Sequence, residues 1–375
     1  MKKHKISFVI LVLFLFGCSS VQPESVPTLT PIPTHPRPTI EIPKALPPTT
    51  LPESESLEIT TTFTENQIII KGFQSTFIRW LNWSKDGKTL LIGTQEHGII
   101  IYDVVNKKVI LNFENGMIIQ NLALSPDEKI LALVISSTDS IRLVNPETGN
   151  LIKTLYITRY WPGSLTFSPD SKVLVSANDR DGKIIVWDVS SGKEISQLFR
   201  GDYELGNLSF SPDGNLLMAS SMDNSFRVWD THTWKLQRTF GGGCCAFSFS
   251  PDGSKFATSS GGPYEKLHHG ELAIWDFNTG KKLFNLSNSL PRTIAIAYNP
   301  SGEYIAVGGS NGGSTNIANT ITIYNVNTGK YLRELAVGYY AQPMALAFSP
   351  DGTKLASVSQ DEHTGEIIIW DINQP

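Results

Sequence analysis

The sequence predicts an all-β fold of seven repeated sheets, and three observations carry that prediction. A short unit recurs at a nearly fixed period, its turns carry tight-hairpin chemistry, and the runs between turns are apolar almost throughout. Each unit opens with an apolar strand ending in an aromatic residue or Leu and passes through a Ser-Pro-Asp-Gly-like turn into a second apolar strand. A polar loop then leads to a third strand that ends in an aromatic or Val followed by Asp or Asn. The anchors Trp83, Leu124, Phe167, Phe210, Phe249, Tyr298 and Phe348 lie 41, 43, 43, 39, 49 and 50 residues apart. Self-similarity at this period names a repeat architecture ahead of any other signal.

The clearest units read FSPD at 167–170 to Trp187-Asp188, FSPDG at 210–214 to Trp229-Asp230, FSPDG at 249–253 to Trp275-Asp276 and FSPDG at 348–352 to Trp370-Asp371. Weaker ones read WSKDG at 83–87 to Tyr102-Asp103, LSPDE at 124–128 to Val144-Asn145, and YNPSG at 298–302 to Tyr324-Asn325. Pro at the second turn position uses its fixed φ, and Gly at the fourth closes the hairpin. Ser-Gly-Lys at 191–193 and Thr-Gly-Lys at 279–281 and 328–330 place a glycine where the next hairpin needs positive φ. The runs KIIVW at 183–187, ELAIW at 271–275 and EIIIW at 366–370 are of strand length and must be covered on both faces. A radial stack of sheets supplies that cover, and no useful helical periodicity competes with it.

These residues resemble the WD40 repeat family over roughly residues 67–375. The resemblance implies a seven-bladed β-propeller in which each repeat supplies the outer strand of one blade and the three inner strands of the next. The last blade then needs a fourth strand, and NQIIIK at 66–71 has the length, composition and position to close the ring from the N-terminal side. Closure removes the exposed sheet edge that invites aggregation. The Gly-His pair that the family often places before each first strand is missing, Gly201-Asp202 being the nearest counterpart. Only fragments of the associated polar network remain, such as Asp223 with Ser220 or Ser221 and Trp229, and Asp181 with Trp187.

Ahead of the repeats, Lys2, Lys3 and Lys5 precede an apolar run at 6–16, too short to span a bilayer and of signal-peptide form. Leu15-Phe16-Gly17-Cys18 resembles the bacterial lipobox, which implies a signal peptide at 1–17 and lipidation of Cys18. Residues 21–56 hold ten prolines among many threonines, the composition of an extended disordered tether. At roughly 3.1 Å per residue it would reach on the order of 110 Å. The predicted organisation is signal peptide 1–17, lipidated Cys18 and linker 18–56, and propeller 57–375. Without the signal peptide, 28 basic residues stand against 35 acidic ones, a net charge of −7. Nothing here forms the basic stripe that nucleic-acid binding requires. Cys244 and Cys245 are adjacent, a spacing that suits two small packed side chains better than a disulfide framework.

Catalytic motifs are scarce. Gly308-Gly309-Ser310-Asn311-Gly312 satisfies G-x-S-x-G, but a nucleophile elbow needs a strand-to-helix turn, and here a second strand leads into a polar loop. His97, His268, His269 and His363 fall in loops between second and third strands, with Glu96, Glu271, Asp361 and Glu362 nearby. Imidazole and carboxylate could hold a metal, but the blades concerned are not all neighbours, and no metal or cofactor is expected. In the implied propeller these loops share one face with the loops leading into the first strands. The lead-in loops carry Arg79, Trp80, Tyr160, Trp161, Tyr203, Arg292, Tyr339 and Tyr340. Such residues supply most of the binding energy at protein interfaces, and they equally cap the apolar layers between blades.

The expected protein is thus a monomeric, lipid-anchored, non-enzymatic recognition or scaffolding head on the outer side of a bacterial cell membrane or outer membrane. A protein or peptide partner would dock on the lead-in face. Binding of a cell-wall or extracellular polysaccharide, and a metal-dependent propeller enzyme, stay open as alternatives.

Overall fold

The computed structural model describes residues 59–372 apart from 65–66, 75–76, 96, 115, 137, 158–161, 179–181, 199–204, 222, 224, 242–245, 260–271, 287–291, 311–318, 339–341 and 361–363. Every regular element among the described residues is a β-strand, and the strands form seven antiparallel sheets. In blade 1, Ile78–Trp83, Thr89–Thr94, Ile99–Asp103 and Lys108–Phe113 pair in chain order. Blades 2 to 6 repeat that plan, ending with Tyr331–Gly338. First strands of adjacent blades lie against one another from blade 2 round to blade 7, and that of blade 7 lies against that of blade 1, whereas blade 1 meets the first strand of blade 2 through its second strand, Thr89–Thr94. The architecture is a closed seven-bladed β-propeller.

The seventh blade shows how the ring closes. Gln342–Phe348, Lys354–Gln360 and Thr364–Asp371 supply its inner three strands, and Gln67–Gln74 takes the fourth place. Ile68 pairs with Ile369 and Ile70 with Ile367, so the apolar run expected to close the ring does so. A fifth strand, Thr60–Thr64, pairs outside it, with Thr62 opposite Ile69. The repeat pattern gave no reason to expect that strand. Between blades 7 and 1, the Trp83 indole N–H donates to the Ala347 carbonyl and the Ile78 N–H to Gln360 Oε1, both at 3.0 Å.

Burial follows radial position. Second strands such as Leu131–Ile135 are buried along their whole length, whereas outer strands such as Glu194–Gln197 are half-buried or exposed throughout. The core is therefore a set of wedges between neighbouring blades rather than one central mass. Phe167 and Trp187 of blade 3 pack on Ala132, Ile141 and Leu143 of blade 2. Between blades 4 and 5, Phe226, Phe247, Phe249, Phe256 and Phe277 meet edge to face, the arrangement aromatic quadrupoles prefer. In each wedge the first-strand anchor and the residue before the Asp or Asn face the preceding blade.

Candidate functional site

The propeller has two unlike faces. One gathers the turns between first and second strands and those between third and fourth strands. In the first set, the Ser hydroxyl donates to the Asp two residues on: Ser84 to Asp86, Ser125 to Asp127, Ser168 to Asp170 and Ser349 to Asp351 at 2.6 Å, with Ser211 and Ser250 alike. Blade 6 substitutes an amide, Asn299 Nδ2 donating to Ser301 Oγ at 2.8 Å. These hydroxyl bonds, ahead of any other influence, hold the six aspartate carboxyls below the usual range. In the second set, the Asp or Asn after the aromatic receives backbone N–H groups from the turn it starts, as when Thr279 N–H donates to Asp276 Oδ1 at 2.7 Å. The acidic half of the Trp187-Asp188, Trp229-Asp230 and Trp275-Asp276 pairs is thus a turn former.

The first set of turns also joins blade to blade. Gly214 leaves room for Pro169 of the preceding turn, whose Cδ lies 3.3 Å from where a Cβ would stand. Gly253, Gly302, Gly352 and Gly87 face Pro212, Pro251, Pro300 and Pro350 in the same way. Blades 2 and 3 carry Glu128 and Ser171 there, held at φ of 60° and 63°, a conformation that costs a non-glycine residue energy. Their side chains bind the preceding turn instead: Lys85 N–H donates to Glu128 Oε1 at 2.6 Å, and Asp127 N–H to Ser171 Oγ at 3.0 Å.

The opposite face holds the lead-in loops, where the sequence placed its docking residues. Arg79 is exposed at the start of blade 1. Trp80 is half-buried and packs into the wedge with blade 2, beside Gly93 and Leu122. Arg292 opens the first strand of blade 6, its backbone paired with Ser310, and its side chain is outside the described set. Cys18, Tyr160, Trp161, Tyr203, Tyr339 and Tyr340 lie outside the described residues, as do His268, His269, His363, Cys244 and Cys245. His97 is described, and its amide donates to Thr94 Oγ1 at 2.9 Å.

The structure adds residues that the sequence reading passed over. Phe77, Met117 and Ile118 sit where the chain enters the first strands of blades 1 and 2, Tyr156 ends the outer strand of blade 2, and they are 44%, 42%, 43% and 72% exposed. The Phe77 and Ile118 carbonyls accept from Gln95 and Ser136 N–H groups at 2.8 and 3.0 Å, which ties this apolar arc to the adjoining loop bases. For Phe77, Met117 and Ile118 the signal in the sequence was an apolar residue one or two positions ahead of the buried strand start.

The polar network goes beyond the fragments expected, of which Asp181 lies outside the described residues. Asp223 binds Ser225 and Arg227. Partial burial opposes its ionisation, but the hydrogen bonds from Arg227 and Ser225 prevail and draw its carboxyl down to about 2. The Trp187, Trp275 and Trp370 indoles donate to Ser176, Thr258 and Ser357 on their own second strands, at 2.9, 2.9 and 2.8 Å. The Gly308-Gly309-Ser310 segment continues Tyr304–Ser310, with Gly309 paired to Thr320, a ladder rather than an elbow.

Two stretches, residues 149–188 and 196–230, match the family model described as WD domain, G-beta repeat. Each match runs from the end of one blade through the third strand of the next. WD repeat-containing protein SL1-17 of Schistosoma mansoni is 27% identical over 157 residues, 41% of this chain and 46% of that protein. The APC/C activator protein CDC20 of Saccharomyces cerevisiae is 29% identical over 157 residues, 40% of this chain and 25% of that protein. WD repeat and SOCS box-containing protein 1 of Xenopus tropicalis is 27% identical over 128 residues, 34% of this chain and 26% of that protein. The matched region spans less than half the length of these relatives. The chain is therefore a seven-bladed propeller carrying WD40 repeats, a class that serves in general as protein-interaction modules.

Proposed function

We propose that the chain is a lipid-anchored, extracytoplasmic docking head, a non-enzymatic propeller that recruits a protein or peptide partner across its lead-in face. The observation that carries the reading is the exposed apolar set of Phe77, Met117 and Ile118 near Arg79, with Tyr156 at the end of the outer strand of blade 2, on a face built of loops over a rigid ring. Exposed apolar side chains gathered on one face mark interaction surfaces, and loops held by a rigid scaffold are where binding resides. Tyr160, Trp161, Tyr203, Arg292, Tyr339 and Tyr340 extend the same surface in this proposal. Lipidation at Cys18 and the Pro/Thr-rich tether would hold the head off a bacterial membrane.

Pull-down with mass spectrometry on intact cells tests it, using the wild-type chain and a folded variant with Phe77, Met117, Tyr160, Trp161, Tyr339 and Tyr340 changed to Ala. A polypeptide captured by the wild type alone supports docking on this face; equal capture by both refutes the face. Cys18→Ala should move the protein from the membrane to the soluble fraction, and continued membrane association would remove the lipid anchor from the proposal.

A further inference from the structure

Blade 2 differs from every other blade in one respect. The remaining six carry an aromatic at both wedge positions: Trp83 and Tyr102, Phe167 and Trp187, Phe210 and Trp229, Phe249 and Trp275, Tyr298 and Tyr324, Phe348 and Trp370. Blade 2 carries Leu124 and Val144, both turned toward blade 1. Two rings that fill the other wedges are therefore missing from this one. A cleft of about 420 Å³ opens beside Leu124 on the turn face, with Val144 buried behind its lining, within the size range of ligand sites. Its floor is apolar, formed by Leu91, Ile101, Ile110 and Leu124. Its rim holds Asp86, Glu128 and Glu147, and among the described residues no Lys or Arg lines it.

The rim carboxylates are not equivalent. Lys88 Nζ already lies 3.6 Å from Asp86 Oδ2. Glu128 spends one oxygen on the Lys85 N–H, which fixes its carboxylate at the cleft edge. Glu147 carries no ion pair among the described residues and is exposed. An apolar slot ending in fixed negative charge complements an alkyl chain tipped with an ammonium. Lysine has that shape, a flexible four-carbon stem under a compact cation.

We propose that the wedge between blades 1 and 2 is a second binding site that takes a lysine side chain of a polypeptide, its methylenes on Leu91, Ile101, Ile110 and Leu124 and its ammonium among Glu128, Glu147 and Asp86. The site lies on the face opposite the lead-in arc, so it is independent of the docking surface proposed above.

The test uses the full chain with labelled Ile and Leu methyls, titrated with acetyl-trilysine amide and, separately, with spermidine. Saturable shifts of the Ile101, Ile110 and Leu124 methyls with trilysine are expected. Glu128→Gln with Glu147→Gln keeps an acceptor for the Lys85 N–H and should weaken binding about tenfold or more. Leu124→Phe with Val144→Trp restores the ring pair of the other blades and should abolish the shifts. Unmoved methyls, or equal binding by the wild type and the double Gln variant, overturn the site; if the ring-restoring variant fails to fold, the Gln pair decides alone. Spermidine binding as tightly as trilysine overturns the polypeptide assignment. Capture of a partner on the lead-in face is read in the same variants, and its survival without trilysine binding, or the reverse, separates the two proposals.

Discussion

At the scale of single residues, each blade depends on a few buried polar contacts whose loss has no local remedy. Ser357 is fully buried and its Oγ receives the Trp370 indole N–H. Ser357→Ala is expected to lower stability by about 1–3 kcal/mol, the cost of leaving a buried donor unmatched, as read from the denaturant midpoint. Blade 4 has already made that change: Trp229 pairs with Leu217, and the residue two positions on is Ala219. The pattern was hard to see in the sequence because the hydroxyl precedes its Trp by 11, 13 or 17 residues, according to the length of the intervening loop.

At the scale of the turn, the six Ser-bonded aspartates titrate together. Their folded carboxyls lie below the unfolded value of roughly 4. Groups depressed on folding contribute stability that is fully present above the unfolded value and lost as pH falls through it toward the folded one. The melting temperature should therefore stay flat from pH 7 to 5 and drop below about pH 4. Replacing Asp170, Asp213 and Asp252 by Asn should lower it at pH 7 and flatten the acid limb. Differential scanning calorimetry across that range checks both, and an unchanged acid limb would remove these turns as its cause. The turns were readable in advance because Ser, Pro, Asp and Gly each act through adjacent backbone. The strand Thr60–Thr64 was not, because TTTFT has no counterpart in the repeats and pairs outside their four-strand plan. The cleft of blade 2 escaped for another reason. Leu124 and Val144 read as ordinary core residues in a line of text, and the missing volume exists only once blade 1 stands opposite.

At the scale of the whole molecule, the ring is stabilised by neighbour contacts that return to their start, so no blade is an end blade. Opening the ring at one wedge exposes two apolar blade faces at once, which makes closure cooperative. Deleting residues 57–71 should destabilise the propeller severely, whereas deleting 25–50 should leave its melting temperature nearly unchanged. Equal thermal shifts for the two deletions would refute closure by Gln67–Gln74. The position of the two N-terminal strands has a mechanical consequence. Tension drawn through residues ahead of Thr60 reaches the outermost strand first, at its Thr60–Lys71 end, and unzips that hairpin one rung at a time. Only when it has run out does the load pass to the Gln67–Trp370 rung and begin to open the ring itself. Thr60–Thr64 thus acts as a fuse, yielding slack under a sudden tug while the closed ring behind it keeps its shape.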